Sequence, residues 1–361
     1  MADEKIPADG ADFSDPAELA RLRILDAAAN RAAEGLRVVE DFVRFALDDP
    51  HLVASLKTVR HKLTAVLASV PFTDRLRARE SLQDVGASIT TEGEFHRPEM
   101  ASVVAASFHR LQQALRSLEE YSKLYDPDAA RRFESLRYQI YTLERAVEIT
   151  RQSLKRLADA KLYVLLDGGT SEAAFSALAT TLVSARTPIV QLREKTLGDR
   201  ELLARARLLR QLTRGSETLF IMNDRPDLAV LADADGVHVG QEELTVKDAR
   251  AIVGPRRLVG VSTHSLEQAR QAVLDGADYI GVGPTFPGST KQFEHFPGLD
   301  LVRAVHAEIR LPAYPIGGIT LDNLADVLRA GATRVCVAAA VCQANDPGVQ
   351  VERFRRMLAG E

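Results

Sequence analysis

The spacing of apolar positions changes style along the chain. In the first part Leu22, Leu25, Ala29, Ala32, Ala33, Leu36, Val39, Phe42, Val43 and Ala46 recur at steps of three and four residues. That spacing puts them on one buried face of a helix. Further helical stretches are predicted over about 51–69, 98–125 and 127–155. From residue 161 the rhythm alternates, with short runs rich in Val, Ile and Leu each followed by a helical stretch of about 10–15 residues. The expected strands are Leu162–Leu166, Ile189–Arg193, Leu219–Asn223, Gly236–Val239, Leu258–Val261, Tyr279–Gly283, Ala313–Gly317 and Arg334–Ala338. Eight such units in about 200 residues predict an α/β fold, a closed (β/α)8 TIM barrel. An open doubly wound sheet is the alternative, but it does not require eight regular units.

The change of style sets the expected organisation. Residues 1–18, acidic and polar, read as a disordered tail. Residues 19–155 read as an all-α N-terminal domain and 156–361 as the barrel. The helical half holds a weak internal repeat. Arg31, Arg37, Glu40, Asp41 and Phe42 match Arg110, Arg116, Glu119, Glu120 and Tyr121 at an offset of 79. The repeat is either two similar amphipathic helices with ion pairs three residues apart, or a duplicated helical hairpin with both Arg/Glu sets facing one cleft.

Composition narrows the function. The chain has 361 residues, 46% hydrophobic and 27% charged, which excludes a wholly disordered protein. A net charge of −4 argues against a general nucleic-acid binder, and the absence of Trp removes indole stacking. No apolar run approaches the roughly 20 residues needed to cross a membrane. The start, Met-Ala-Asp-Glu-Lys, is not of secretory type. Two cysteines, Cys336 and Cys342, exclude a disulfide framework and read as core or edge thiols in a reducing cytoplasm.

In a barrel the chemistry lies where strands end. The second strand ends in Gln191-Leu192-Arg193-Glu194-Lys195. Alternation puts Gln191, Arg193 and Lys195 on one face, where paired cations call for an anion or an internal carboxylate. Asn223-Asp224 and Gly240-Gln241-Glu242-Glu243 end the next two strands. Carboxylates at adjacent strand ends can share Mg²⁺, which binds substrate phosphates; singly, each reads as a surface charge. Ser262 ends the fifth strand and could donate to phosphate, whereas His264 reads chiefly as a packing or hydrogen-bonding residue. The loop from Gly283 to Lys291 is small, hydroxyl-bearing and cationic, which suits a phosphate-binding lid as well as a plain flexible loop. Gly317-Gly318-Ile319 and Ala338-Ala339 close the circuit with small residues that let a phosphate approach the backbone. Two anionic subsites in one mouth imply two phosphorylated substrates being joined. A non-catalytic phosphate sensor would not need the second subsite and the carboxylate pair.

These runs carry a resemblance. Gln191-Leu-Arg-Glu-Lys195, Asn223-Asp224, Gly236-Val-His-Val-Gly-Gln-Glu-Glu243, Gly260-Val-Ser262, Gly283-Pro-Thr-Phe-Pro with Thr290-Lys291, and Gly317-Gly-Ile319 stand in order across residues 161–361. Together they resemble the thiamine-phosphate synthase family. The resemblance implies joining of hydroxymethylpyrimidine pyrophosphate to a thiazole phosphate, or its carboxylated form, with release of pyrophosphate. It places Gln191, Leu192, Arg193, Glu194, Lys195, Asn223, Ser262 and Lys291 around the pyrimidine pyrophosphate. Gly288, Ser289, Thr290, Gly318, Ala338 and Ala339 would meet the thiazole phosphate. Asp224 and Glu243 would hold Mg²⁺. Arg193, Lys195, Ser262 and Lys291 would act on the departing pyrophosphate in a dissociative reaction. Two departures stand out: Glu243 replaces the family's usual Asp, and Ala338-Ala339 replace positions that often include Ser. A related isomerase, a thiazole tautomerase using His264 as acid and base, is the alternative and would not need the cation and carboxylate set. The partners implied are small phosphorylated pyrimidine and thiazole substrates, with no nucleic acid and no membrane; a homo-oligomer stays open.

The helical half resembles a second family through Arg23-Ile-Leu-Asp26, Asn30-Arg31 with Glu34-Gly-Leu-Arg37-Val-Val-Glu40, Arg60-His61, Arg110 to Tyr121, and Leu136-Arg137-Tyr138. That family is fused ahead of such barrels and is assigned as a non-ribokinase hydroxymethylpyrimidine-phosphate kinase. No Gly-x4-Gly-Lys-Ser/Thr loop supports nucleotide binding here. The Arg and Glu sets suit phosphate and metal, or an internal salt-bridge network, so a dimerising or regulatory module remains the other reading.

Overall fold

Four helices open on the dipeptide Asp-Pro: Asp15-Pro16, Asp49-Pro50, Asp126-Pro127 and Asp346-Pro347. Proline presets the first helical φ, and the aspartate accepts a backbone N–H that the helix cannot satisfy, a cap worth about 1 kcal/mol. Asp49 takes the Leu52 N–H at 2.9 Å, Asp126 that of Ala129 at 2.9 Å and Asp346 that of Val349 at 3.0 Å. The computed structural model describes residues 15–69, 72–80, 96–287 and 297–361, the side chains of Phe72 and Thr73 excepted. Most of the expected tail, and the positions Gly288, Ser289, Thr290 and Lys291, lie outside the described residues. The chain divides into two compact units, Met1–Glu144 and Arg145–Glu361.

The first unit is built of α1 (Pro16–Phe42), a π turn (Val43–Leu47), α2 (Pro50–Leu67), α3 (Phe72–Ala78), α4 (Met100–Ser122) and α5 (Pro127–Arg156). From Arg145 onward α5 belongs to the second unit. The predicted face of α1 is buried at Leu22, Leu25, Ala29, Ala32, Leu36, Val39 and Val43, but Ala33 and Ala46 are exposed. The π turn explains the second exception. Its wider turn carries the buried face from Val43 to Leu47 rather than to Ala46. The stretch before α4 also holds a short helix, α3, that periodicity did not predict.

The weak repeat is a duplication at the level of structure. In α1 the buried Glu40 accepts from Arg60 Nε of α2 at 3.0 Å; in α4 the buried Glu119 accepts from Arg137 Nε of α5 at 2.9 Å. Each glutamate has a second arginine three residues back, Arg37 at 3.8 Å and Arg116 at 2.7 Å. Lys62 and Gln139, which stand at matching places in the two hairpins, bond each other at 2.8 Å. Arg31, Glu34 and Arg110 are exposed, so the repeated charges split into buried internal pairs and a solvated face.

The second unit carries β1 (Leu162–Leu166), α6 (Glu172–Ser184), β2 (Ile189–Leu192), α7 (Asp199–Thr213), β3 (Leu219–Asn223), α8 (Pro226–Leu231), β4 (Gly236–Val239) and α9 (Val246–Val253). It continues through β5 (Leu258–Thr263), α10 (Leu266–Asp275), β6 (Tyr279–Val282), α11 (Gly298–Glu308), β7 (Ala313–Pro315), α12 (Leu324–Arg329), β8 (Val335–Val337), α13 (Ala339–Cys342) and α14 (Pro347–Ala359). All strand pairs are parallel, in the order β7-β6-β5-β4-β3-β2-β1-β8. A bridge between Ile316 and Cys336 joins β7 to β8 and rounds the sheet into the expected (β/α)8 barrel.

Tyrosines fill the barrel floor. Tyr163, Tyr279 and Tyr314 are almost fully buried and meet edge to face, with ring centres 5.4–5.8 Å apart. Ile189, Ile221, Leu258 and Cys336 complete this layer. A side chain at Gly260 would put its Cβ 2.1 Å from the Tyr279 ring, so this strand position must be bare. Among the described residues, no helix is long and apolar enough to cross a membrane.

Candidate active site

Above the tyrosine floor, polar side chains from successive strands converge on the C-terminal mouth. Gln191, almost fully buried, donates from Nε2 to the Tyr163 hydroxyl at 2.5 Å, and the Tyr163 and Tyr279 hydroxyls lie 3.0 Å apart. His238 faces inward from β4, stacks against Tyr279 and reaches Ser262 Oγ through Nε2 at 3.0 Å. Its Nδ1 is buried with no partner. A buried orphan acceptor is less costly than an orphan N–H. The favoured tautomer is therefore Nε2–H donating to Ser262, which leaves the serine proton for a ligand. Burial, aided by the positive field of Arg193, depresses the His238 imidazole to about 4, so the ring stays neutral.

Lys195, Asp224 and Glu243 form the next layer. The Lys195 ammonium lies 3.6 Å from Asp224 Oδ2 and 4.0 Å from Glu243 Oε1. Burial first, and then the neighbouring Glu243, raise the Asp224 carboxyl above its ordinary range. Asp224 holds a positive φ of 57°, with its N–H on the His238 carbonyl at 2.8 Å and Oδ2 accepting from Asn223 Nδ2 at 2.6 Å. Pro226 starts α8 and ends the strand there. The longer arm of Glu243 folds back over Gly240, where a Cβ would sit 2.1 Å from Oε2.

Other expected residues fall differently. Leu192 is fully buried on the strand face opposite Gln191 and Arg193, so its side chain does not reach the mouth. The Glu194 carboxylate is engaged by loop donors from two strand ends. His264 Nδ1 lies 2.6 Å from the Gly283 carbonyl and its N–H donates to Gln268 Oε1 at 2.7 Å, a loop-fixing role. Gly318, at φ 62°, turns under Phe286 and Pro287, and Asn323 Nδ2 donates to its carbonyl at 2.8 Å. Ala338 and Ala339 are exposed where β8 runs into α13. Burial pushes the Cys342 thiol up to about 12 and Cys336 higher still, so neither supplies a thiolate.

His238, Tyr163 and Tyr279 were not singled out from the sequence. Alternation could have found His238, because Gly236-Val237-His238-Val239 leaves one large polar residue on the inner face. Among the described residues no cluster of three or more His, Cys, Asp or Glu could hold a metal. The pair Asp224 and Glu243 remains, and it already has a cation between its members.

The sequence matches the family described as thiamine monophosphate synthase over residues 162–341, and the ThiD2 family over residues 23–146. A thiamine-phosphate synthase of Rhodopirellula baltica is 44% identical over 329 residues, covering 89% of this chain and 88% of the relative. A thiamine-phosphate synthase of Gloeobacter violaceus is 44% identical over 341 residues, covering 93% and 96%. The solved thiamine phosphate pyrophosphorylase from Pyrococcus furiosus superposes with a TM-score of 0.50 and 33% identity, covering 56% of this chain and 96% of that one. With similarity along most of its length, the chain belongs to the thiamine-phosphate synthase family, with a ThiD2-family segment ahead of the barrel.

Proposed function

We propose that the barrel is a transferase that joins 4-amino-2-methyl-5-hydroxymethylpyrimidine pyrophosphate to 4-methyl-5-(2-hydroxyethyl)thiazole phosphate, giving thiamine phosphate and pyrophosphate, or to its 2-carboxy form, which in addition loses its carboxyl as CO₂. The observation that carries this reading is the meeting of Lys195, Asp224 and Glu243 in one mouth that also holds Gln191, His238 and Ser262, with Arg193 just past the end of β2. The C–O bond to pyrophosphate breaks first, and the bonding pair leaves with the pyrophosphate. The pyrimidine methylene cation is stabilised by its own ring amine and is attacked by the lone pair of the thiazole nitrogen. No protein nucleophile or strong base is required.

Asp224 and Glu243 fit Mg²⁺. Both are hard oxygen donors, and both already face one cation, the Lys195 ammonium, whose place a metal ion between them would share. Bound there, Mg²⁺ would supply neutralisation of the pyrophosphate oxygens. Arg193 and Lys195, with Lys291 from the loop outside the described residues, hold the leaving group and its growing charge. Ser262, turned outward by His238, adds a neutral donor. Gln191 and Asn223 fix the pyrimidine end, while Gly318 and the Ala338–Ala339 backbone face the thiazole phosphate. Ordering both rings removes the entropy of a two-substrate encounter. Two reduced thiols support a cytoplasmic setting.

For the helical part, residues 19–155 ahead of a barrel at 156–361, the ThiD2-family match supports a hydroxymethylpyrimidine-phosphate kinase that would make the barrel's substrate. The buried pairs Glu40–Arg60 and Glu119–Arg137 favour a second reading for those residues, a structural network in a dimerising or regulatory module. Pyrimidine monophosphate, thiazole phosphate, ATP and Mg²⁺ given to the purified chain separate the two. Thiamine phosphate formed without added pyrimidine pyrophosphate supports the kinase, and product formed only when the pyrophosphate is supplied excludes it.

A further inference from the structure

Glu194 sits between two cationic residues of the mouth, yet its carboxylate meets no cation among the described residues. Oε2 accepts the Gly168 N–H at 2.9 Å. Oε1 accepts the Thr196 N–H at 2.5 Å and the Thr196 hydroxyl at 2.6 Å, with the Leu197 N–H at 3.4 Å. One carboxylate therefore ties the loop after β1 to the loop after β2. Burial acts against the charge, but hydrogen bonds from the Thr196 side chain and from the Thr196, Gly168 and Lys195 backbone outweigh it and bring the carboxyl down to about 2. The anchor is charged at any working pH.

The other half of the clip is equally specific. Arg205 Nε donates to the Gly168 carbonyl at 3.2 Å and its guanidinium holds Glu172 at 2.7 Å, so both the N–H and the carbonyl of Gly168 are engaged. A Cβ on Gly168 would stand 2.7 Å from Glu194 Oε2 and 2.7 Å from Leu197 Cδ1. The Arg193 N–H donates to the Leu166 carbonyl at 2.8 Å, where the β1–β2 ladder ends. Beyond that bond, Glu194 supplies the side-chain contact that holds residues 194–197 against the neighbouring strand end.

We propose that Glu194 is a positioning residue: clipped to Gly168, Thr196 and Leu197, it aims the flanking Arg193 and Lys195 into the mouth and itself touches no substrate. This rests on reading the mouth as the pyrophosphate site. Arg193 and Lys195 flank Glu194 on the segment just past the end of β2, so an anchor on Glu194 restrains the backbone from which both side chains leave. Gln in its place has one acceptor and must turn an NH₂ towards N–H donors.

The test measures binding of inorganic pyrophosphate with Mg²⁺ by calorimetry, and backbone amide exchange over 166–170 and 194–198. The native chain is compared with Glu194→Gln, Thr196→Val and Gly168→Ala. Glu194→Gln should weaken pyrophosphate by about tenfold, the loss expected for a hydrogen-bonded carboxylate. Thr196→Val and Gly168→Ala, which leave the carboxylate in place, should weaken it by about two- to fivefold, and all three should exchange faster in both loops. In the coupling reaction the KM for the pyrimidine pyrophosphate should rise while that for the thiazole phosphate stays, a split that general destabilisation would not give. Loss confined to Glu194→Gln would mean direct contact with substrate and would overturn the proposal. Native binding in all three variants despite faster exchange would overturn it too. If the native chain itself binds no pyrophosphate, the site reading fails and the proposal with it. Should Glu194→Gln not fold, the other two variants decide.

Discussion

Lys195 Nζ lies 3.6 Å from Asp224 Oδ2, and this ammonium is the nearest compensation for a carboxyl whose ionisation the fold resists. Burial and Glu243 both favour the neutral acid. A raised folded pKa contributes stability that is present below the unfolded value and lost as pH rises through the folded one. At neutral pH the charged Asp224 is therefore a cost in the metal-free chain. Asp224→Asn keeps a residue that tolerates the φ of 57° and removes that cost. The metal-free variant should melt higher by about 2 °C, and its turnover should fall by about a hundredfold or more. Calorimetry without Mg²⁺, beside the coupling assay, checks both; a lower melting point would contradict the charge argument.

Loss of a cation proposed to hold the pyrophosphate should act on the leaving group. Lys291→Ala should lose most turnover, and Arg193→Ala should cost about a hundredfold in kcat/KM for the pyrimidine pyrophosphate. Steady-state kinetics on purified variants test this, and near-native turnover in Lys291→Ala would remove that residue from the site.

Neutral His238 makes a prediction about acid. Its imidazole is held at about 4 against an ordinary 6.5. A depressed folded pKa gives stability that is present above the unfolded value and lost as pH falls through the folded one. Between about pH 7 and about pH 5 the native chain should therefore lose a few degrees more of its melting temperature than His238→Gln does. Equal losses would mean that the ring is not held neutral.

The two helical hairpins should respond alike to loss of the buried carboxylate. Glu119→Ala leaves Arg137 uncompensated and should cost about 3 kcal/mol; Glu40→Ala, whose arginine is more exposed, should cost less. Restoring apolar packing with Glu119→Leu and Arg137→Met together should recover much of the loss. Denaturant unfolding followed by circular dichroism measures each.

Most of the barrel was legible because its strands, buried on both faces, are short apolar runs each followed by a helical stretch: Leu162–Leu166, Leu219–Asn223 and Gly236–Val239 are strands at the predicted ends. The cationic and acidic residues were legible because strand ends are where a barrel puts chemistry. What periodicity missed has local causes. Ala46 is exposed because a π turn changes the step of the helix, a backbone event with no hydrophobic signature. Leu192 entered the expected site by adjacency, although alternation turns it away. The bonds of Glu194 join residues 26 apart in sequence, which only the folded register brings together.

The central claim is that one barrel mouth releases pyrophosphate and joins the two rings. The most direct measurement follows both products in one reaction of the purified chain with the two phosphorylated precursors and Mg²⁺. Thiamine phosphate is read by fluorescence after oxidation, and pyrophosphate by an enzyme-linked assay. The account predicts the two in equal amounts, with both lost in Asp224→Asn. Pyrophosphate released without thiamine phosphate, or no product from the native chain, would contradict it.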